Sequence, residues 1–290
     1  MASVIEDKLT AATGTSSVND AVHNLSERLL SGCVGDNSRT CLRSLSNKLG
    51  VVSITLEDLP CEALLVPLDT GRYKIMLSMR ANRHRRRFSL AHELGHIMLH
   101  QVLPETRDFE TRDVFMPPGN QTEEDICDRF AAEILMPRLQ FEAELSNREL
   151  SICTIQHLSQ RFDVSLSAAT NRCKELLNVD LALAKFDSCN QSMYMTQVFV
   201  NFEKSRIYRD RRFSYPFSSI PGIALFSKAL TSGWVWIQER WNKRRLFCSA
   251  MPSSNEESIL TLLLRCPTET RCVHPAFVEQ FEDGHEEAFT

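Results

Sequence analysis

The sequence predicts an α+β fold: a mainly helical core with a small antiparallel sheet, a helix-turn-helix-like segment, and a second, smaller α+β domain towards the C-terminus. Three observations support this class. Apolar residues recur at helical spacing in two segments, residues 89–103 and 122–136. Two short strand-like runs precede the first of these segments and are separated by turn-forming residues. After about residue 180 the pattern changes to further strands, so we expect a second domain there.

The N-terminal elements carry no chemical motif. Residues 1–36 are predicted to be an extension that is partly disordered, because the first part is polar, with a helix through residues 21–30. A helix-like stretch follows at residues 40–49. Residues 63–66 and 73–77 are predicted to be two strands of a hairpin.

The motif His92-Glu93-Leu94-Gly95-His96 carries the strongest chemical signal. On a helix, the two histidines lie one turn apart and can bind the same ion, while Glu93 points towards the water that the ion polarises. Ser89 is a candidate N-cap for this helix, and Pro104 marks its end. The motif predicts a hydrolytic zinc site.

A catalytic zinc site needs a third protein ligand and an open position for water. His100 is on the same helix, about 12 Å in rise from His92, so we expect it to be structural or to support the ligands. The helix predicted at residues 122–136 has Glu124 and Asp128 on one face. Glu124 is the predicted third ligand, and Asp128 is expected to accept a hydrogen bond from a metal-bound histidine. Glu123 is the alternative ligand if the register differs by one residue.

Two stretches together resemble the ImmA/IrrE family of metallopeptidases. They are RFSLAHELGHIMLH at residues 87–100 and EDICDRFAAEILMP at residues 124–137, and the resemblance extends over about residues 37–177. In the family's pattern the glutamate of the second stretch is the third zinc ligand, which matches Glu124. Cys127 stands where alanine is usual.

The resemblance implies a zinc-dependent endopeptidase with one Zn²⁺ per chain, Mn²⁺ being the alternative metal. Characterised members of the family cleave a specific transcriptional repressor and so switch on stress-response or mobile-element genes. With His92, His96 and Glu124 as ligands, zinc lowers the pKa of a bound water, and Glu93 takes the proton as that water attacks a peptide carbonyl. The donor for the developing oxyanion stays open among His100, Tyr73 and Arg87.

The predicted domains follow from these motifs. They are the extension at 1–36, a metallopeptidase catalytic domain at 37–178, a C-terminal domain at 179–275 and an acidic tail at 276–290. Within the catalytic domain, residues from about 150 to 178 resemble a helix-turn-helix, with Asp163 near the turn and Ser165 capping the second helix. Because this segment is nearly balanced in charge, we predict a packing or substrate-docking role for it. Longer members of the family carry a GAF-type sensor domain in the C-terminal position.

Composition restricts the functional classes. The 290 residues are 43% hydrophobic and 24% charged, with 37 acidic and 33 basic side chains. A formal net charge of −4 argues against a general DNA-binding surface, so the basic run at residues 80–87 is interpreted as a solvated loop. The start of the chain lacks signal-peptide features, no apolar run would span a bilayer, and the ten cysteines are scattered, so we predict a cytoplasmic protein with reduced thiols.

The expected partner is a protein substrate, a repressor, without direct nucleic-acid binding or a membrane; the oligomeric state is open. Two alternatives remain. One is a DNA-binding transcription regulator with a structural zinc, which would require a fourth protein ligand that the neighbouring sequence does not offer. The other is a toxin-like or defence protease with the same chemistry and a different protein target.

Overall fold

The computed structural model describes residues 4–33, 39–69, 71–104, 121–189, 192–200, 235–238, 245–252 and 258–265. The chain divides into two compact units, one formed by residues 1–144 and 158–168, the other by residues 145–157 and 169–290. Within the described residues, no helix is both long and apolar enough to cross a membrane.

Eight helices and eight strands lie in the described ranges. The helices are α1 (Val4–Thr13), α2 (Val18–Leu30), α3 (Leu42–Lys48), α4 (Arg83–Val102), α5 (Gln121–Leu135), α6 (Arg138–Ser146), α7 (Ile152–Phe162) and α8 (Leu166–Leu177). The strands are β1 (Val51–Glu57), β2 (Ala63–Asp69), β3 (Arg72–Ser78), β4 (Asp180–Cys189), β5 (Ser192–Val200), β6 (Val235–Gln238), β7 (Arg245–Pro252) and β8 (Ser258–Arg265). The predicted α+β class, with a mainly helical core, is confirmed.

The sheet of the first unit is mixed, whereas the sequence predicts an antiparallel one. Strands β2 and β3 form the predicted antiparallel hairpin, whose pairing continues to Asp69 opposite Arg72. Strand β1, which was not predicted, pairs with β3 in parallel, giving the order β1-β3-β2. Gly50, at φ 85°, leads from α3 into β1, and its carbonyl accepts a hydrogen bond from the Tyr73 amide at 3.0 Å. This pairing joins segments distant in sequence, so local patterns do not reveal it.

Two expectations about helix starts are wrong. The predicted disorder at the N-terminus does not extend over residues 4–13, which form α1 because Leu9 is buried against the rest of the unit. Helix α4 begins at Arg83, well before Ser89, and its N-cap is Asn82, whose side chain accepts from the Arg85 amide at 3.0 Å. The basic run is therefore mostly the first turns of a helix and not a loop.

Helices α4 and α5 approach each other closely at Gly95. A Cβ atom at Gly95 would lie 3.2 Å from Cys127 Cα and 3.2 Å from Phe130 Cβ. Leu94 on α4 and Ile134 on α5 are both fully buried. Absence of a side chain at Gly95 therefore lets the two helices that carry the predicted ligands pack directly against each other.

Helices α7 and α8 form the predicted helix-turn-helix-like segment. Asp163 lies in the turn at φ 56°, and the Ser165 side chain caps α8 by accepting from the Ala168 amide at 3.1 Å. The Asp163 carboxylate also contacts Arg83 at 2.5 Å and Arg87 at 3.3 Å. Arg87 Nε donates to the Asp163 main-chain oxygen at 3.2 Å. The turn is thus held against the first two turns of α4.

The second unit contains a five-stranded sheet in the order β5-β4-β8-β7-β6, in which every neighbouring pair is antiparallel. Strands β5 and β8 correspond to the two strands predicted after residue 180, whereas β4, β6 and β7 were not predicted. The helix predicted at residues 221–230 and the acidic tail lie outside the described residues.

Candidate metal centre

The predicted ligands come together where α4 meets α5. His92 Nε2 lies 3.2 Å from His96 Nε2 and 3.1 Å from Glu124 Oε2. His96 Nε2 is 3.7 Å from Glu124 Oε1. Ligand atoms bound tetrahedrally to one Zn²⁺ at about 2.0–2.1 Å are separated by roughly 3.3–3.4 Å. The two nitrogens are near that separation, and each lies within 3.7 Å of one oxygen of the Glu124 carboxylate, so these three side chains could hold a metal ion.

The second ring nitrogen of each histidine, Nδ1, is hydrogen-bonded to a carboxylate. His92 Nδ1 lies 2.8 Å from Asp128 Oδ1. His96 Nδ1 lies 3.0 Å from Glu123 Oε1. Because a carboxylate only accepts, each Nδ1 donates, which leaves both Nε2 atoms as the donors of an electron pair to a metal. Glu123 therefore lies on the opposite side of the His96 ring from Glu124, and the geometry favours Glu124 as the ligand.

The acidic surroundings shift the protonation of the site. Partial burial by itself lowers the pKa of His92, but hydrogen bonds to Asp128 and Glu124 and the charge of Glu93 outweigh it and raise that pKa to about 9. The hydrogen bond from His92 in turn lowers the pKa of Glu124. Without a metal, His92 is thus protonated at neutral pH, and a binding metal ion replaces a proton.

The centre is open on one side. Side-chain exposure is 16% for His92 and 35% for Glu124, and Glu93 is half-buried. Within the described part of the chain, no fourth histidine, cysteine or carboxylate joins the group of His92, His96 and Glu124. Three protein ligands and access to solvent are typical of catalytic zinc sites, whereas structural sites are closed by four.

Glu123 takes part in a second group of donors, which lies deeper between the helices. His100, predicted to be structural or supporting, has its Nε2 3.4 Å from Glu123 Oε1. His96, His100 and Glu123 are all buried. The sequence offered no signal that Glu123 faces His96 Nδ1, because adjacent glutamates on a helix differ in direction by only about a third of a turn.

The three candidates for the oxyanion donor, Tyr73, His100 and Arg87, are either buried or paired with a carboxylate. Tyr73 and His100 are buried, with exposures of 3% and 1%. Arg87 is engaged by Asp163. The geometry does not single out any of them.

The basic run near the start of α4 is partly neutralised by carboxylates. Asp163 pairs with two of the arginines, as described above. Arg85 is hydrogen-bonded to Glu62, and Arg80 pairs with Asp58 at 2.6 Å. These pairs reduce the positive charge that the run offers to a nucleic acid.

A protein-family model matches the part of the chain that carries this site. Residues 48–174 match the Peptidase M78 family model, described as the IrrE N-terminal-like domain. One similar solved structure is described as a Mycobacterium tuberculosis transcriptional regulator; it is 15% identical, with 90% of this chain and 79% of that chain covered and a TM-score of 0.48. No curated protein sequence matches the chain. The matched residues include both motif helices, so this part of the chain is an IrrE N-terminal-like domain of the Peptidase M78 family.

Proposed function

We propose that this protein is a zinc-dependent endopeptidase that hydrolyses a peptide bond in one specific protein. The observation that supports this best is the convergence of His92 Nε2, His96 Nε2 and the Glu124 carboxylate at a site that is open on one side. Zn²⁺ is the proposed metal, with Mn²⁺ as the alternative, because imidazole and carboxylate together suit zinc. When bound, the metal supplies Lewis acidity that lowers the pKa of a water and polarises a carbonyl.

We assign the proton transfers of the reaction to Glu93. Its carboxylate follows His92 directly in α4, is half-buried, and lies near enough for its charge to act on that histidine. We assign Glu93 as the general base that takes a proton from the attacking water and passes it to the leaving amine. Asp128 holds His92 through Nδ1 in the orientation that directs Nε2 towards Glu124.

The proposed substrate is a transcriptional repressor, cleaved to release stress-response or mobile-element genes. This step comes from the family's characterised members and implies action in the cytoplasm. We further propose the division into an extension at 1–36, a catalytic domain at 37–178, a sensor-like domain at 179–275 and an acidic tail at 276–290. Direct nucleic-acid binding is not part of the proposal, since Arg83, Arg85 and Arg87 at the start of α4 have carboxylate partners.

Metal content and cleavage products test the proposal together. Elemental analysis of the purified protein should find one metal ion per chain in wild type and in Glu93→Gln, and none in His92→Ala, His96→Ala or Glu124→Ala. Asp125→Ala is the matched control, because Asp125 is the exposed neighbour of Glu124 on the same helix and should leave the metal in place. Full metal content in Glu124→Ala would refute that ligand assignment.

A proteome-wide search for new protein termini then identifies the substrate. Cells that express wild type should contain a few cleavage products that are missing with Glu93→Gln. If those products derive from a repressor, the regulatory role is supported; products from an unrelated host protein would favour a toxin-like or defence protease. Metal binding without any Glu93-dependent product would contradict the peptidase. Sequence-specific DNA binding that survives Glu93→Gln would instead favour a transcription regulator.

A further inference from the structure

The two histidines of the metal centre are supported by carboxylates in different environments. Asp128, behind His92, has a side chain that is 58% exposed. Glu123, behind His96, is only 6% exposed. A hydrogen bond to an ionised group is stronger where water is excluded, because the local dielectric constant is low. The support for His96 should therefore matter more to the centre than the support for His92.

A second histidine lies close to the same carboxylate. His96 Nδ1 and His100 Nε2 lie 3.0 Å and 3.4 Å from the same Glu123 oxygen. The two imidazoles are one helical turn apart on α4, with ring centroids separated by 6.2 Å. With His100 1% exposed, the three side chains form a buried row that leads from the metal centre into the contact between α4 and α5.

We propose that Glu123 is a positioning residue for His96, and that His100 holds the Glu123 carboxylate in place for this task. The inference depends on the metal site of the proposed function. A metal ion requires the Nε2 lone pair of His96, and a hydrogen bond from Nδ1 selects that tautomer and fixes the rotation of the ring. Glu123 performs this role from a buried position, and it does not bind the metal.

Zinc affinity measured on the full-length protein tests the assignment. The dissociation constant for Zn²⁺, from competition with a chelator, should rise about 10–100-fold in Glu123→Gln. The matched control is Asp128→Asn, the same acid-to-amide change at the exposed carboxylate, which should raise it less. His100→Leu should also weaken zinc binding, and His100→Gln, which restores a donor, should recover part of the loss. Circular dichroism of the metal-free proteins checks that each variant is folded.

A spectroscopic measurement separates positioning from a general effect on folding. In the Co²⁺-substituted protein, the ring N–H protons of the two ligand histidines give shifted NMR signals. The His96 signal should exchange slowly with solvent, because Glu123 is buried, and the His92 signal rapidly. Glu123→Gln should accelerate exchange of the slow signal only.

An unchanged zinc affinity in Glu123→Gln would overturn the proposal, as would two zinc ions per wild-type chain, since His96, His100 and Glu123 would then be a second site. If Glu123→Gln does not fold, an unchanged affinity in His100→Leu overturns the role of the row. Because affinity is measured without proteolysis, the two hypotheses fail separately. If zinc affinity falls more in Glu123→Gln than in Asp128→Asn but the wild-type protein has no proteolytic activity, only the endopeptidase proposal is refuted. If wild type and Glu123→Gln bind zinc equally well and the wild-type protein is an active protease, only the positioning role is refuted.

Discussion

Replacing Gly95 by alanine tests whether the close approach of α4 and α5 sets the geometry of the metal centre. Two effects of opposite sign on the free energy of unfolding decide the result. On an unobstructed helix, alanine in place of glycine stabilises by about 1 kcal/mol. At Gly95 the new Cβ would lie 3.2 Å from both Cys127 Cα and Phe130 Cβ, inside the roughly 3.5–4.0 Å that carbon atoms prefer. Such overpacking costs about 1–3 kcal/mol.

The sum predicts that Gly95→Ala lowers the free energy of unfolding by up to about 2 kcal/mol, with no net gain. Relief of the contact requires the helices to separate by a few tenths of an ångström. His96 is adjacent to Gly95 in α4, and Glu124 lies one turn before Cys127 in α5. We therefore also expect zinc affinity to fall.

Urea unfolding of the metal-free protein and chelator competition measure the two effects. The pair Arg129→Gly and Arg129→Ala is the control, because Arg129 is exposed in the middle of α5 and the pair reports the glycine-to-alanine difference without overpacking. The reasoning from the close contact is refuted if Gly95→Ala raises the free energy of unfolding by as much as Arg129→Ala exceeds Arg129→Gly and if zinc affinity is also unchanged.

Three further predictions concern the rest of the molecule. Asp163→Asn should lower the free energy of unfolding, measured in urea, by about 1–3 kcal/mol, because two arginines lose a largely buried carboxylate partner. Asp58→Asn is the control: it breaks an exposed ion pair and should change the free energy of unfolding by less than about 1 kcal/mol. Equal effects would contradict the role of the turn. Cys41 is exposed and its pKa is lowered, chiefly by a hydrogen bond with Ser44, whereas burial raises the pKa of Cys173 to about 12, so at pH 8 more of Cys41 is thiolate. Iodoacetamide labelling followed by mass spectrometry should therefore find Cys41 modified first and Cys173 unmodified. Similar modification rates at the two cysteines would contradict this expectation. A chelator should lower the melting temperature of wild type but not of Glu124→Ala, and an equal decrease in both would mean that the metal binds elsewhere.

Much of the site was predictable from spacing, because helical geometry is regular. The four-residue intervals between His92 and His96 and between Glu124 and Asp128 determine which side chains share a helix face. The distances at the junction of α4 and α5 agree with that expectation, including the contact of Asp128 with His92. The sequence analysis named Glu123 only as an alternative ligand, and its contact with His96 Nδ1 was not predicted, since it depends on how far one helix is rotated against the other.

The errors concern contacts between distant parts of the chain. The parallel pairing of β1 with β3 joins segments without a hairpin turn, so the local pattern predicts only the β2–β3 hairpin. The arginines before the motif resemble a solvated loop until Asp163, far along the chain, is placed beside them. The order of helix α1 depends on the burial of Leu9 against the rest of its unit. Each feature is stabilised by tertiary contacts that propensity does not report.

The division of the metal ligands between two helices has a mechanical consequence. His92 and Glu124 are 32 residues apart in sequence, so a bound ion acts as a crosslink that closes the intervening chain. By the loop-closure relation used for disulfides, a crosslink of this span removes unfolded-state entropy equivalent to about 3–4 kcal/mol at 25 °C. We therefore expect a molecule without its metal to be not only inactive but also the first to unfold and be degraded, so that the amount of intact protein follows the supply of metal.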